Sequence, residues 1–417
     1  MNNFGTMYVF ELKKIFKRKI VWITLAVMVL ISIFMGVAEI LSINTYVTEG
    51  DETEISGYEA IKREKENDLT IIGKKIDDAL LSEVKDAYKG IYYTTYSEER
   101  VAVTGNISSE ESVEDAKKRI KEQERLSKIY LYVRRITGDD NAIHVIDEDG
   151  LYEERMKNIQ EEMTAQELTE GERAYWQERE EAITKPFTYG YAAGWELVLG
   201  ELYSLNSMQL LVIAICLSTL FSEEHVRKTD QLILCSRYGK QKLYFAKLLA
   251  GITFALCSAF VLLLCSLVPT LLIYGTDGFD VALQIYAPMA CWDITMGQAV
   301  LLMLLVYLAA AVLNSVISMF LSEALRNSVA VMGLMTGGMF LTLVIMIPTK
   351  YRVISQIYEL LPTTIMGLWK FSDYRLINIF GGYFTNLQFA PILYVICSMV
   401  LIFVGTKLYR NYQVSGR

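Results

Sequence analysis

Residues 20 to 41 read IVWITLAVMVLISIFMGVAEIL, and this run decides the fold class. A helix needs about 20 mostly apolar residues to cross the hydrocarbon core of a bilayer, and the run satisfies this before the chain turns polar at Asn44. Five further apolar stretches centre on residues 207 to 221, 245 to 274, 298 to 321, 328 to 348 and 390 to 406. The second is short, and the amphiphilic residues from Trp195 to Leu205 can extend it backward. The expected fold class is therefore an all-α integral membrane protein with six transmembrane helices, preceded by an interfacial helix and interrupted by a helical extracellular domain. An even number of spans places both termini on one side.

Lysine and arginine choose the side, because they translocate poorly. Lys13, Lys14, Lys17, Arg18 and Lys19 precede the first span; Arg227, Lys228, Arg237, Lys240, Lys242 and Lys247 lie between the second and third. Lys407, Arg410 and Arg417 follow the last, and Arg326 sits in the short fourth-to-fifth connection. In a six-span layout all of these share one face, which is expected to be cytoplasmic. The formal charge of -8 conceals a split: residues 45 to 206 hold 37 acidic against 21 basic side chains, a net of -16, leaving +8 elsewhere. The basic residues 1 to 19 leading into an apolar run resemble a secretory signal, but the run is too long for an h-region and no small-x-small cleavage site follows Gly36. An uncleaved first span is expected.

The organisation read from these features is an interfacial amphipathic helix at 1–19, a first span at 20–43, an extracellular helical domain at 44–204, a five-helix membrane region at 205–410 and a tail at 411–417. In the first segment Phe4, Tyr8, Leu12, Ile15 and Phe16 fall on one side of a helical wheel and the lysines on the other, as in a helix lying in the headgroup plane. The insert reads as helices at 58–90, 110–136 and 151–182, broken at Gly105, Gly138 and Gly150. Ser108 with Glu111 and Thr169 with Glu172 have capping-box spacing. Its acidity suits either the steering of a cationic ligand or plain solvation. The connection at 349–388 is rich in aromatic residues and broken by Pro362, Gly367, Gly381 and Gly382, so short re-entrant helices in the outer leaflet are expected there.

Readable catalytic machinery is missing from the sequence. Nothing matches the phosphate-binding pattern G-x-x-x-x-G-K-[ST], only His144 and His225 are present, and the six cysteines form no C-x-x-C pair. Ionisable residues inside the expected spans are reduced to Glu39 and Glu323, each close enough to an end to reach the interface. Uncharged polar positions are commoner, among them Asn314 and Thr336, and Gly333 with Gly337 has the GxxxG spacing that permits close helix approach, within the chain or between copies.

The most distinctive stretch runs from 222 to 244. The second span ends in Phe221, Ser222, Glu223, Glu224; then come Arg227, Lys228, Thr229, the apolar Leu232, Ile233, Leu234, then Ser236, Arg237, Tyr238, Gly239, Lys240 and, at the next span, Lys247. This pattern resembles the loop of type-2 ABC exporter permeases, in which a coupling helix docks on an ATPase subunit. Two departures stand out: Lys228 where that family often has glycine, and Cys235 and Ser236 where it often has proline. Six spans, an amphipathic N-terminal helix and broken outer helices extend the resemblance to nearly the whole chain outside residues 45 to 200.

The resemblance implies a bacterial plasma-membrane permease that binds no cofactor itself and uses ATP through a partner subunit. The expected partners are an ABC ATPase subunit, a second permease in a homodimer or heterodimer, and the lipid bilayer, but not nucleic acid. It assigns ATPase coupling to Glu223, Glu224, Arg227, Arg237, Tyr238, Lys240, Glu323 and Arg326, and helix packing or a path to Gly333, Gly337, Asn314 and Thr336. A contrasting expectation is a non-transporting receptor or scaffold whose insert binds a partner.

Overall fold

A computed structural model describes residues 3–41, 43–47, 53–96, 99–104, 113–226 and 241–411. The molecule is mostly helical with little strand. Among the described residues five helical stretches are long and apolar enough to cross a membrane: Lys19–Leu41, Ala193–Glu224, Lys242–Tyr274, Met296–Leu325 and Asn386–Arg410. Ser328–Val344 is apolar but shorter. We name these helices α2 (Lys19–Val37, continued by a 3-10 turn to Leu41), α8 (Ala193–Leu217), α10 (Lys242–Tyr274), α11 (Met296–Leu325), α12 (Ser328–Val344) and α14 (Asn386–Asn411). Helix α8 starts at the amphiphilic residues that made its beginning ambiguous, and α9 (Thr219–Val226) prolongs it after Ser218.

Helix α10 lies at the centre, against α2, α8 and α11, and α11 in turn packs on α8 and α14. Small residues make this closeness possible: Ala250, Ala255 and Ala259 are fully buried along α10. At Gly36 of α2 a Cβ would sit 2.6 Å from the Ser266 carbonyl oxygen, so only glycine admits that crossing. Polar side chains tie the same helices together. Gln209 donates to the Ala255 carbonyl at 2.8 Å, Tyr307 to that of Ala259 at 3.2 Å, and the Glu201 carboxylate accepts from Ser266 and from Thr270 (2.8 Å). Glu201 was overlooked as an ionisable group inside a spanning-length helix, because the sequence left the start of α8 open.

The insert departs from the all-helical expectation. Helices α3 (Tyr58–Leu69), α4 (Asp78–Ala87), α5 (Val113–Thr137), α6 (Glu148–Ala165) and α7 (Glu170–Ala182) alternate with two antiparallel hairpins, β1 (Asn44–Val47) with β2 (Thr53–Ser56), and β3 (Ile91–Tyr96) with β4 (Glu99–Thr104). The stretches IYYTTY and ERVAVT are β-branched and aromatic, a pleated-surface composition that outweighs the helical character of their neighbours. The Thr169–Glu172 capping box forms as expected at the start of α7; Ser108 and Glu111 lie outside the described residues. The 349–388 connection holds one short helix, α13 (Arg352–Glu359), a 3-10 turn (Leu368–Ser372) and a third hairpin, β5 (Leu376–Ile379) with β6 (Gly382–Thr385), rather than helices alone.

The insert is joined to the bundle's connections rather than hung from them. Its own core holds Ile76, Leu80 and Val84 against Leu126, Ile129, Val133 and Leu151, but Ile159, Met163 and Trp176 belong to the core of the bundle. Arg155, fully buried, pairs with Glu180 and donates to the carbonyls of Pro288 (2.6 Å) and Ala290 (3.1 Å) in the loop between α10 and α11. On the other flank Trp176 donates to the Tyr374 carbonyl at 2.6 Å, and Glu172 accepts from the Leu376 amide at 2.9 Å and pairs with Arg352. Buried backbone carbonyls without water need such donors, which explains why these contacts are polar within apolar surroundings.

A third junction lies where α3 and α5 meet the tops of α8 and α10. Lys65 donates to the Tyr274 carbonyl (3.1 Å) and Asp277 (2.9 Å), and Tyr191 donates to the same carbonyl at 2.9 Å. Asp68 is buried there, and burial pushes its carboxyl up to about 7 against the opposing pull of Lys128, with Glu64 and the Tyr189 hydroxyl alongside. A raised carboxyl favours the folded state while it is protonated: the benefit is whole below the ordinary range near 4 and is lost as pH rises through about 7. Replacing Asp68 with Asn is therefore expected to leave stability nearly unchanged at about pH 4 and to raise it progressively toward pH 7, by a few kcal/mol at most. Thermal unfolding of both proteins across that window checks this; a constant difference at all pH values contradicts it.

Candidate functional site

One end of the bundle gathers α1 (Asn3–Phe16), α9, the beginning of α10, the turn between α11 and α12, and the end of α14, whose Tyr409 ring lies 5.3 Å from that of Tyr244. Helix α1 is amphipathic as expected, but its apolar stripe faces protein. Ile15 is fully buried, Tyr8, Leu12 and Phe16 pack against the bundle core, and the Tyr8 hydroxyl donates to Thr253 of α10 at 3.1 Å. Val9 and Phe10 are the large apolar residues that α1 leaves exposed. The small residues Ala246 and Ala250 leave α10 with a surface that α1 can approach, and burial against it satisfies the stripe as lipid would.

The basic face of α1 then meets the two glutamates. Arg18 pairs with Glu223 at 2.8 Å and also bonds Thr219, while Lys14 pairs with Glu224 at 3.0 Å. Glu224 additionally pairs with Lys247, whose ammonium is buried and lies 4.9 Å from the centre of the Phe221 ring. A lysine with no exposure is held in its charged form only if a carboxylate and an aromatic face replace water. Glu223 and Glu224 are thus engaged in fastening α1, its junction with α2, and α10 to α9.

A serine completes the junction. At the break between α8 and α9, Ser322 of α11 donates to the Ser218 carbonyl and receives the amides of Phe221 (3.2 Å) and Ser222 (3.1 Å). One hydroxyl therefore satisfies backbone groups that the helix break leaves orphaned. Next to it Glu323 is buried, 4% exposed, and its carboxylate oxygens have no hydrogen-bond partner among the described residues, rather than reaching the interface as expected. Arg326 ends α11 in the left-handed region at φ 54°, and the Asn327 side chain caps α12 by accepting from the amides of Val329 and Ala330. At the opposite end of the bundle, Glu39 accepts from the Tyr274 hydroxyl at 3.0 Å.

Arg227, Arg237, Tyr238 and Lys240 lie outside the described residues. Of the packing or path candidates, Asn314 is buried on α11, its amide nitrogen having no partner among the described residues, and Thr336 bonds its own helix, to Met332 at 2.8 Å. Gly333, Gly337 and Gly338 have no described residue within 4 Å of where a side chain would project. Spacing alone cannot tell an inner face of α12 from an outer one.

No protein-family model, curated protein or solved structure matches this chain. The functional reading therefore rests on its own residues. Lys14, Arg18 and Lys247 read from the sequence as positive-inside flanks, and Ser322 as the start of the 322–327 turn, which the family resemblance makes a secondary contact for the ATPase. Bases flanking apolar runs satisfy the positive-inside rule whatever else they do, so their ion pairing was invisible. Nothing in that turn's sequence indicates that the Ser322 hydroxyl faces the break between α8 and α9.

Proposed function

We propose that the chain is the membrane-spanning permease subunit of an ATP-driven exporter, similar to type-2 ABC permeases, with ATP hydrolysed on a separate polypeptide. In this reading α12 is the sixth span, the end bearing α1 and α9 is cytoplasmic, and the insert stands outside a bacterial plasma membrane. A second permease completes the path, which moves a hydrophobic or amphipathic substrate, a peptide being compatible. The observation that carries the reading is the convergence of α1, α9, α10 and α11 on the Glu223–Glu224 exit of the 222–244 segment.

That convergence supplies a coupling route. An ATPase closing on residues 227–240 pulls on α9, and α9 is linked to α1 through Lys14, to the start of α2 through Arg18, to α10 through Lys247 and to α11 through Ser322. Force applied at the loop reaches four helices through short polar links, so they move together. Arg237 and Lys240 would set docking register from the loop itself.

Affinity purification of the tagged chain, with mass spectrometry, is expected to recover an ATPase bearing a phosphate-binding loop. Arg237→Glu is expected to abolish stimulation of that ATPase by the permease while the complex still assembles. Recovery of no ATPase, with function retained after residues 227–240 are scrambled, would overturn the proposal and favour a receptor or scaffold.

A further inference from the structure

The α6–α7 hairpin of the insert encloses a cavity of about 400 Å³ that the coupling route does not use. Its volume lies in the range of small-molecule pockets, about 300–1,000 Å³. Ile159, Met163, Trp176 and Cys291 form a buried apolar floor, and Met156 forms a wall. The indole nitrogen of Trp176 is bonded to the Tyr374 carbonyl at 2.6 Å and its ring is fully buried, so it closes the bottom of the cavity. Gln160, Gln177, Glu181 and Lys185 make an exposed rim.

The charges at this cavity are unequal in what they leave available. Glu180 is neutralised from behind by Arg155 and from the side by Lys185 at 2.7 Å, which also occupies that lysine. Arg173 points away toward the Leu168 carbonyl (3.4 Å) and the Thr164 hydroxyl (3.2 Å). Glu181 remains at the rim, held by the Gln177 amide at 3.0 Å, with no cation in its ion pairing among the described residues. Helices α6 and α7 together carry eleven acidic against four basic side chains, a field that concentrates cations at this mouth.

We propose that the cavity is a binding site for a small amphipathic organic cation, or for one cationic, apolar-stemmed side chain of a peptide. The apolar body lies along Met156, above the floor that Met163 and Trp176 close, and the cationic head meets Glu181 and the side-chain carbonyls of the glutamines. Methionine surfaces adapt to varied apolar shapes. This site goes beyond the export reading and stands without it, since occupancy needs no ATPase.

The test uses the purified full chain in lipid nanodiscs and isothermal titration with 4-phenylbutylamine, 4-phenylbutan-1-ol and 4-phenylbutyrate. The amine is expected to bind several-fold more tightly than the alcohol, about three- to fivefold as for an exposed ion pair, and the acid most weakly. Glu181→Gln should bring the amine to the level of the alcohol. Met156→Trp or, at the exposed rim, Gln160→Trp should block both ligands without lowering the unfolding temperature. Equal binding of amine and alcohol, or amine binding that survives both blocking variants, would overturn the proposal. These outcomes are independent of ATPase recovery, so failure here is distinguishable from failure of the transport reading.

Discussion

Replacing Arg155 with methionine is expected to cost about 3 kcal/mol of folding stability, the lower part of the range for breaking a buried ion pair. The guanidinium is fully buried and serves two masters: it pairs with Glu180, and it caps the carbonyls of Pro288 and Ala290. Methionine fills much of the same volume, so the loss is electrostatic rather than a cavity effect. Lys185 still faces Glu180 afterwards, which keeps the cost below the upper end. In the folded wild type, hydrogen bonds and charge from Arg155, joined by those of Lys185, hold the Glu180 carboxyl below the usual carboxylate range despite the opposing effect of burial. Its benefit is present above that range and lost as pH falls through the depressed value, so acid should narrow the gap between wild type and variant. Thermal unfolding and limited proteolysis of the α6–α7 hairpin give the readout. Adding Glu180→Leu should restore much of the loss, because a removed pair is better tolerated than a broken one. Wild-type stability in the single variant would show that this clamp does not hold the insert.

Glu224→Ala is expected to have the second large effect, about 3 kcal/mol, accompanied by release of α1. It removes the carboxylate that pairs directly with the unexposed Lys247, leaving Glu11 and Glu323 as more distant charges, and takes away the closer of the two partners of Lys14, the other being Glu11 at 3.7 Å. Arg18→Ala, by contrast, breaks a partly exposed pair and should cost about 1 kcal/mol or less. The contrast separates a buried anchor from a surface tie. Protease accessibility of residues 3–18, compared in the two variants, measures it directly, and adding Lys247→Met to Glu224→Ala should recover stability without restoring the tie to Lys14. If the export reading is right, the double variant folds yet shows weakened coupling between ATPase and permease. Equal α1 protection in Glu224→Ala and wild type would remove Glu224 from the anchoring role.

Much of the architecture was readable because hydrocarbon-length runs leave little freedom: residues 20–41, 245–274, 298–321 and 390–406 all fall within long helices. The capping box at Thr169 was readable for a similar reason, since its bonds are local. The hairpins of the insert were not. IYYTTY and ERVAVT pair with each other, and a window that scores one segment at a time leaves them as a break between the helices expected at 58–90 and 110–136. Buried Glu323 was misjudged because a position near a helix end predicts reach to the interface only when nothing packs over it.

The amino-acid sequence by itself determined the apolar runs, the unequal charge of insert and bundle, and the glutamate pair at the exit of α9, because each depends on composition along one segment. Tertiary structure alone decided what those groups face. It turned the stripe of α1 toward α10, occupied Glu223 and Glu224 with Arg18, Lys14 and Lys247, and bound the insert to two connections through Arg155, Glu172 and Trp176. The physical reason is the same throughout: hydrophobic and charged groups state a need for a partner without direction, and the partner is chosen by which surfaces close packing brings within a few ångströms.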